Sequence, residues 1–310
     1  MPNPNATCRS PYSGRSASLG VRPSGRGNPA KFQQAGICSW GLLLAGLIFL
    51  STPLYAFVPH PLHMLDLMLA NSGKTKTAIL EQRITLHGLE ADAPRRILKG
   101  TLYFQWPGGY RLESVGEAGH RVQVVRGSDS LIIRDGFIDP GPASAIDLYP
   151  DLFFHRTRAG MARRLTQLGI DMALASPGLW QGHPHWVLGA HYPDPDKSQV
   201  WIHKDNFRPL GWRINSTESQ SYPIWEIEYV NWQQKHGFRY PRRINFYQDT
   251  VLLREIEITE VTINSKLAPD LLDLEKLRAQ YPLRPAGGAD SPAMGEVEQV
   301  LEDFSRMYRP

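Results

Sequence analysis

The sequence predicts an α+β protein, in which a strongly curved antiparallel sheet forms an open (half) β-barrel with a helical lid. About a dozen segments alternate apolar and polar residues and are separated by short polar turns, a pattern typical of an antiparallel meander. A sheet of that many strands tends to curl. Helices must then cover its apolar face, and a predicted helical segment in the middle of the chain supplies that cover.

The first half of the sheet is predicted from regular alternation. Residues 76–87 place Leu80 and Ile84 on one face, together with Ala78, Gln82 and Leu86. An amphipathic helix at 61–71 precedes this strand. Further strands are predicted at 97–105, 110–114, 120–125 and 130–134.

The middle of the chain interrupts the strands. Residues 137–150 contain Pro140-Gly141-Pro142 and predict a loop. Residues 148–168 predict one helix, with Leu165 on its apolar face and Gly169 as its stop. Later strands are predicted at 172–175, 186–191, 200–203, 210–215, 224–232, 244–247 and 251–263, with helices at 270–280 and 294–307.

The first 56 residues have the pattern of a secretory signal peptide with a long basic n-region. They contain five of the 34 basic residues and none of the 30 acidic ones, followed by the uncharged run Gly41 to Leu50. An uncleaved membrane anchor is the alternative, although the apolar run is shorter than a spanning helix requires. We therefore expect a signal peptide at 1–56, an open-barrel domain at 57–281 and a linker with a C-terminal amphipathic helix at 282–310.

The distribution of charge and cysteine along the chain excludes several classes of function. The basic surplus belongs to the first 56 residues, so the rest of the chain gives no reason to expect nucleic acid as a partner. Both cysteines, Cys8 and Cys38, also lie there, and neither has the setting that receives a lipid anchor. The exported part is therefore expected to be a periplasmic protein without disulfides, thiolate chemistry or Cys-ligated zinc.

Aromatic residues recur at strand positions and favour an interior that takes an apolar ligand. Aromatic side chains bury large apolar areas, and a half-closed barrel can leave room for a ligand among them. For any single residue, filling of the core is the simpler interpretation. The candidates for lining such a cavity are Leu80, Ile84, Tyr103, Trp106, Tyr110, Leu165, Trp186, Trp201 and Trp225.

A histidine cluster is the strongest candidate for enzyme chemistry. His183 and His185 stand two residues apart, and His191 follows with Asp194 and Asp196 nearby, so imidazoles and a carboxylate could bind zinc. Gly182 and Pro184 indicate a turn, and His191 is a strand length away, which favours ordinary surface histidines. We expect no metal, no cofactor and no catalytic residues.

Several hairpins resemble those of the periplasmic outer-membrane lipoprotein carrier proteins, the LolA-like group of lipoprotein-sorting proteins. Gly100 to Arg111 resembles the family's "Gly-x-Leu-aromatic…Pro-x-x-Phe-Arg" hairpin, and Ser128 to Ile133 its "Asp-Gly-x-x-Leu-Trp" strand. Val200 to Pro209 resembles the "Val-x-Ile-Asp…Pro" hairpin, while 240–244 and 261–264 resemble the closing strands. The resemblance implies an open barrel whose helices form a lid over a cavity for lipoprotein acyl chains, with partner proteins in the inner and outer membranes.

One position departs from that family. Trp106 stands where the family's carriers have an arginine that helps to latch the lid, so that role does not carry over and the cargo could be a different lipid or lipoprotein. Three functions follow as hypotheses: a lipid or lipoprotein carrier, a metal-dependent envelope enzyme, and an envelope interaction protein without a ligand cavity.

Overall fold

The computed structural model describes residues 58–70, 73–88, 94–117, 119–140, 145–215 and 224–285. The expected signal peptide at 1–56 and the expected helix at 294–307 lie outside these ranges. None of the helices within them combines the length and apolar character that a membrane span requires.

Within the described residues, thirteen strands form one antiparallel sheet. They are β1 (Thr77–Leu86), β2 (Arg96–Gln105), β3 (Gly109–Gly116), β4 (Gly119–Arg126), β5 (Asp129–Arg134), β6 (Phe137–Asp139), β7 (Ala175–Trp180), β8 (His183–Leu188), β9 (Gln199–His203), β10 (Pro209–Ile214), β11 (Trp225–Lys235), β12 (Phe238–Gln248) and β13 (Val251–Ile263). The predicted fold class is therefore confirmed: a curved antiparallel sheet that is not closed, with few helices.

The strand order explains how helices come to cover the sheet. The order is β6-β5-β4-β3-β2-β1-β13-β12-β11-β10-β9-β8-β7, so the chain leaves β1 toward one edge and returns from the other edge to β13. Strands β6 and β7 are the two edges, and residues 140–174 connect them. This connection, the crossover, must pass over a face of the sheet.

The predicted helix at 148–168 is wrong as a single element. The crossover instead contains a 3₁₀ turn at Ala145–Leu148 and two α-helices, α2 (Asp151–Phe154) and α3 (Arg158–Gln167). Thr157 causes the break, because its backbone is extended and its hydroxyl accepts a hydrogen bond from the Gly160 N–H at 3.2 Å, which caps α3. The helix before the sheet, α1 (Pro61–Ala70), lies where it was predicted.

Other boundaries also differ from the prediction. Residues 137–139 form edge strand β6 because they pair with β5, although Pro140-Gly141-Pro142 predicted a loop over 137–150. Residues 172–174 form a turn, since the Asp171 carboxylate accepts from the Ala173 N–H at 2.8 Å, and β7 begins only at Ala175. Helix α4 (Leu274–Gln280) starts after its cap Asp273, four residues later than predicted.

Among the residues that the structure describes, the apolar side chains form one central core and two smaller clusters. The central core lies between one face of the sheet and the helices α1, α2 and α3 with the 3₁₀ turn. A second cluster joins α4 to β4, β5 and β6 through alternate residues such as Val122 and Val124, which the strand pleat turns away from Val125 in the central core. The third contains Val187, Ala190 and Trp201, with Trp180 and Leu210 against them.

Charged residues of β12 and β13 form cross-strand ion pairs. Arg242 lies 3.3 Å from Glu257, and Arg243 lies 3.6 Å from Glu255. These residues alternate with the buried Ile244, Ile256 and Ile258. The two strands therefore have one covered and one solvated face.

Candidate functional site

The start of the crossover is fixed to the sheet by polar contacts. The buried Asp147 carboxylate lies 2.6 Å from Arg121 of β4 and 3.3 Å from Arg254 of β13. Burial alone would raise the pKa of Asp147, but the two guanidinium charges outweigh it and hold the pKa below its ordinary value. Arg254 also donates to the Ile146 carbonyl at 3.2 Å.

Tyr149 continues this polar attachment. The Gln82 amide donates to its hydroxyl at 3.1 Å, and the Tyr229 hydroxyl donates to its carbonyl at 2.7 Å. Burial raises the pKa of Tyr149 to about 12, so the phenol stays protonated. Residues 146–149 of the crossover are therefore held by directional hydrogen bonds from β1, β4, β11 and β13.

Helix α2 is attached in a different way. Within the described residues, no hydrogen bond joins Leu152, Phe153 or Phe154 to a strand; the Phe153 and Phe154 N–H groups donate to the Pro150 carbonyl at 3.1 and 3.0 Å. All three side chains are nevertheless buried in the central core. The last three residues of this four-residue helix, which we call the plug helix, are thus held to the sheet by apolar contacts.

Aromatic rings make most of those contacts. Phe154 stacks on Phe104 of β2 with centroids 4.1 Å apart and lies 6.0 Å from Phe238 of β12. Phe153 meets Tyr229 and Trp232 of β11 edge-on, at 5.9 and 6.3 Å. The plug helix therefore contacts both halves of the sheet, Phe154 through β2 and β12 and Phe153 through β11.

A cleft of about 220 Å³ opens on the Phe154 side of the plug helix. We call it the aromatic cleft; its lining is Phe104, Trp106, Gly108, Gly109, Tyr110, Val125, Gly127, Asp151, Phe154 and His155. Gly109 is required here, because its backbone has φ of 154° and a Cβ would collide with the Val125 carbonyl oxygen. Strands β3 and β4 therefore approach each other closely at this part of the cleft lining.

Two titratable groups with opposite pKa shifts lie at the inner end of the aromatic cleft. Asp151 is 4 % exposed, and burial raises its pKa to about 6 against the opposing effects of Arg164, 2.7 Å away, and the Tyr110 hydroxyl. His155 lies 3.9 Å from Asp151, and burial together with the Arg164 charge lowers its pKa to about 4. At neutral pH the carboxylate is therefore paired with Arg164 beside a neutral imidazole.

A second cleft, of about 280 Å³, opens on the Phe153 side. We call it the basic cleft; its lining is Asn206, Arg208, Trp232, Gln233, Gln234 and Arg239, from the turn before β10 and from β11 and β12. Arg208, Trp232 and Arg239 also line a much smaller space of about 20 Å³ with Met68, Leu152, Phe153 and Pro209. The plug helix therefore separates two clefts that belong to the two halves of the sheet.

The predicted cavity residues divide between the two faces of the sheet. Leu80, Leu165 and Trp225 are buried in the central core, and Ile84 and Trp186 pack against it. Trp106 and Tyr110 line the aromatic cleft. Trp201 belongs to the third cluster, and Tyr103 alternates with the core residues Leu102 and Phe104. Both therefore lie on the face of the sheet opposite the central core. Contact of any of these residues with a ligand stays a prediction.

Sequence reasoning missed most of the lining of both clefts. Phe153 and Phe154 were hidden within one predicted helix, although a Phe-Phe pair so soon after Tyr149 is an unusually aromatic start for a helix over a sheet. Asp151 and His155 gave no signal, because their environment depends on burial under β2 and β3. Arg208 and Arg239 are 31 positions apart and meet only through the pairing of β10, β11 and β12.

The histidine cluster does not form the predicted turn. His183 to Leu188 is strand β8, in which His185 is buried and His183 exposed, and the His185 ring lies 5.6 Å from that of His203 on β9. His185 was expected at the surface; its cross-strand position opposite His203 buries it. Across the described part of the chain, no group of three or more His, Cys, Asp or Glu is placed to hold a metal ion.

Comparison with known proteins finds likeness among solved structures. The chain is similar to a putative outer membrane lipoprotein-sorting protein domain from Vibrio parahaemolyticus (11 % identity, 70 % of this chain and 97 % of that chain, TM-score 0.46). It is also similar to a LolA superfamily protein from Nitrosomonas europaea (11 %, 71 % and 100 %, TM-score 0.42) and a DUF1329 family protein from Desulfovibrio piger (10 %, 71 % and 100 %, TM-score 0.47). No protein-family model and no curated protein matches the chain.

Proposed function

We propose that the chain is a non-enzymatic carrier that binds the acyl chains of a lipid or lipoprotein in the central core of its sheet. The observation that supports this is the attachment of Leu152, Phe153 and Phe154 of the plug helix to the sheet, which is made by apolar contacts and follows the hydrogen-bonded residues 146–149 along the chain. Apolar contacts are not directional, so a hydrocarbon chain can replace them without leaving a hydrogen-bonding group unsatisfied.

The free energy lost when the plug helix leaves the core is comparable to the free energy gained when an acyl chain is buried in its place. Burial of a Leu or Phe side chain is worth about 1.5–3 kcal/mol, and burial of a methylene group about 0.8 kcal/mol. About eight buried methylene groups therefore offset the loss of Leu152, Phe153 and Phe154 from the core. An acyl chain of ordinary length supplies more than that number.

The size of the aromatic cleft indicates that the plug helix must move for such a chain to bind. At about 220 Å³ the cleft is below the roughly 300–1,000 Å³ of ordinary ligand pockets, so it receives only the end of a chain. Departure of Phe153 and Phe154 would join the two clefts into one trough across the sheet. The ligand would stabilise this open state by its preferential affinity for it.

Export and partners form part of the proposal. The basic and apolar pattern at 1–56 supports export to the periplasm, from which the carrier would move its cargo toward the outer membrane. Proteins of the inner and outer membranes would give and receive the cargo. The predicted amphipathic helix at 294–307 is the segment that we propose for contact with them.

Photo-crosslinking tests the proposed position of the acyl chain. The full chain is produced in bacterial cells with the photoreactive residue p-benzoylphenylalanine in place of Trp106, irradiated, and analysed by mass spectrometry. We expect an adduct with the mass of an acyl-bearing lipid or lipoprotein, because Trp106 lies at the mouth of the aromatic cleft.

Val115 provides the matched control. It lies on β3, as Tyr110 does, but is 53 % exposed and belongs to the face that points away from the core. The same photoreactive residue at position 115 should give no acyl adduct. Equal labelling at 106 and 115, or none at 106, would contradict the proposal.

A further inference from the structure

Two guanidinium groups come together in the basic cleft. Arg208 precedes β10, Arg239 lies on β12, and Trp232 of β11 lies in the same lining. Both arginines are half-buried. Their proximity results from the tertiary structure and not from a basic run in the sequence.

Like charges are concentrated here without a carboxylate partner for Arg208. Within the described residues, Arg208 forms no ion pair with Asp or Glu, and its Nε donates to the neutral Asn206 side chain at 3.1 Å. Burial, followed by the charge of Arg239, lowers the pKa of Arg208, which shows that the cationic form is destabilised. A bound anion would relieve both effects.

The side-chain oxygens of the basic cleft already accept hydrogen bonds from other residues of the protein. The Asn206 and Gln234 oxygens accept from the Nε groups of Arg208 and Arg239, and Gln233 Oε1 accepts from the Tyr240 hydroxyl at 3.2 Å. Because a guanidinium group can only donate, the side-chain amides of Asn206 and Gln234 must point their oxygens toward the two arginines. The Trp232 indole N–H is buried and has no acceptor in the described part of the chain. The cleft is therefore suited to a ligand that accepts hydrogen bonds.

An apolar throat continues from the basic cleft toward the core. Met68, Leu152 and Phe153 line a space of about 20 Å³ that shares Arg208, Trp232 and Arg239 with the cleft. That volume holds about one water molecule, so the plug helix closes the throat. A cationic mouth thus leads to the side chains that an acyl chain would displace.

We propose that the basic cleft binds the anionic headgroup, of phosphate type, of the amphiphile whose acyl chain enters the core. This inference rests on the proposed carrier function and adds the chemical class of the ligand. Arg208 and Arg239 bind the anion, and the chain passes between Trp232 and Phe153 when the plug helix leaves. Arginine suits this role because its planar donors match the geometry of phosphate oxygens.

Three probes separate the headgroup from the chain. Isothermal titration calorimetry of the full chain is performed with dodecyl phosphate, dodecyl maltoside and inorganic phosphate, the first two below their micellar concentrations. We expect dodecyl phosphate to bind at least about tenfold more tightly than dodecyl maltoside, because only the phosphate makes charge-assisted hydrogen bonds. Inorganic phosphate, which lacks the chain, should bind much more weakly than dodecyl phosphate.

Matched variants assign the effect to the cleft. In R208Q/R239Q, binding of dodecyl phosphate should weaken about tenfold while binding of dodecyl maltoside is unchanged. R208K/R239K keeps the charges but not the planar donors, so it should weaken binding of dodecyl phosphate less than R208Q/R239Q does. R83Q/R163Q removes the same charge at positions on β1 and α3 outside this cleft and should have no effect. Circular dichroism establishes that each variant is folded.

The outcomes distinguish the two proposals. Equal affinity for dodecyl phosphate and dodecyl maltoside in all variants overturns the headgroup assignment and leaves the carrier standing. Tight binding of inorganic phosphate alone would show that the basic cleft is a site for a free anion. That result overturns the proposal that its ligand is an amphiphile. Failure of both dodecyl compounds to bind overturns the carrier function itself.

Discussion

The aromatic cleft and the basic cleft lie on either side of the same four-residue helix, yet they differ in chemistry. The aromatic cleft is walled by Phe104, Trp106 and Tyr110 and keeps its charges, Asp151 and Arg164, paired at its inner end. The basic cleft gathers Arg208 and Arg239 around Trp232. Because of this difference, one end of the core is suited to a hydrocarbon chain and the other to an anion, as the binding of an amphiphile requires.

The largest expected effect concerns the aromatic wall. Replacement of Phe104 by Ala removes the ring stacked on Phe154 and leaves a cavity, at a cost of about 3–5 kcal/mol in the free energy of unfolding. Trp232→Ala on the opposite side should cost less, because Trp232 is only half-buried. Urea denaturation of both variants measures the two values. Equal losses would show that the clefts contribute alike to stability.

The pH dependence of stability should separate Asp151 from His155. The folded-state pKa of Asp151, about 6, lies above its ordinary value of 3.8, so its ionisation lowers stability as the pH rises from about 4 to 6. The folded-state pKa of His155, about 4, lies below its ordinary value of 6.5, so its protonation lowers stability as the pH falls from about 6.5 to 4. The two contributions, on the order of 3 kcal/mol each, oppose one another in wild-type protein.

Single substitutions should remove one contribution at a time. From pH 6.5 to pH 4, His155→Gln should gain stability relative to wild type, and Asp151→Asn should lose it. Urea denaturation at several pH values gives the curves. If all three proteins show parallel curves, these two groups do not set the pH dependence at the plug helix.

The smallest expected effect concerns the exposed border of the helical cover. Arg158 of α3 lies 2.8 Å from Asp66 of α1, and both side chains are about half-exposed. Arg158→Gln should change the free energy of unfolding by less than about 1 kcal/mol, as is usual for surface ion pairs. A loss of several kcal/mol in thermal or urea denaturation would mean that this ion pair, and not the apolar contacts, holds the cover on the sheet.

The sheet was predictable because alternation records which side of a strand is buried. Ala78, Leu80, Gln82 and Leu86 share the buried face of β1 as their spacing of two predicted, and β13 begins and ends at the predicted residues. The candidate site was predictable only in part. Trp106 and Tyr110 were identified, but Trp201 and Tyr103 face away from the core, since aromatic content alone does not tell which face a residue occupies.

The antiparallel sheet, the helical cover and the positions of most strands follow from local periodicity and turn residues, so the amino-acid pattern predicts them. The pairing of β1 with β13, the plug formed by residues 151–154 between two clefts and the proximity of Arg208 and Arg239 become visible only in the folded chain. Those features depend on contacts between residues far apart in the chain. A period of two fixes the face of each strand, but it does not fix which strands become neighbours or what lies over them.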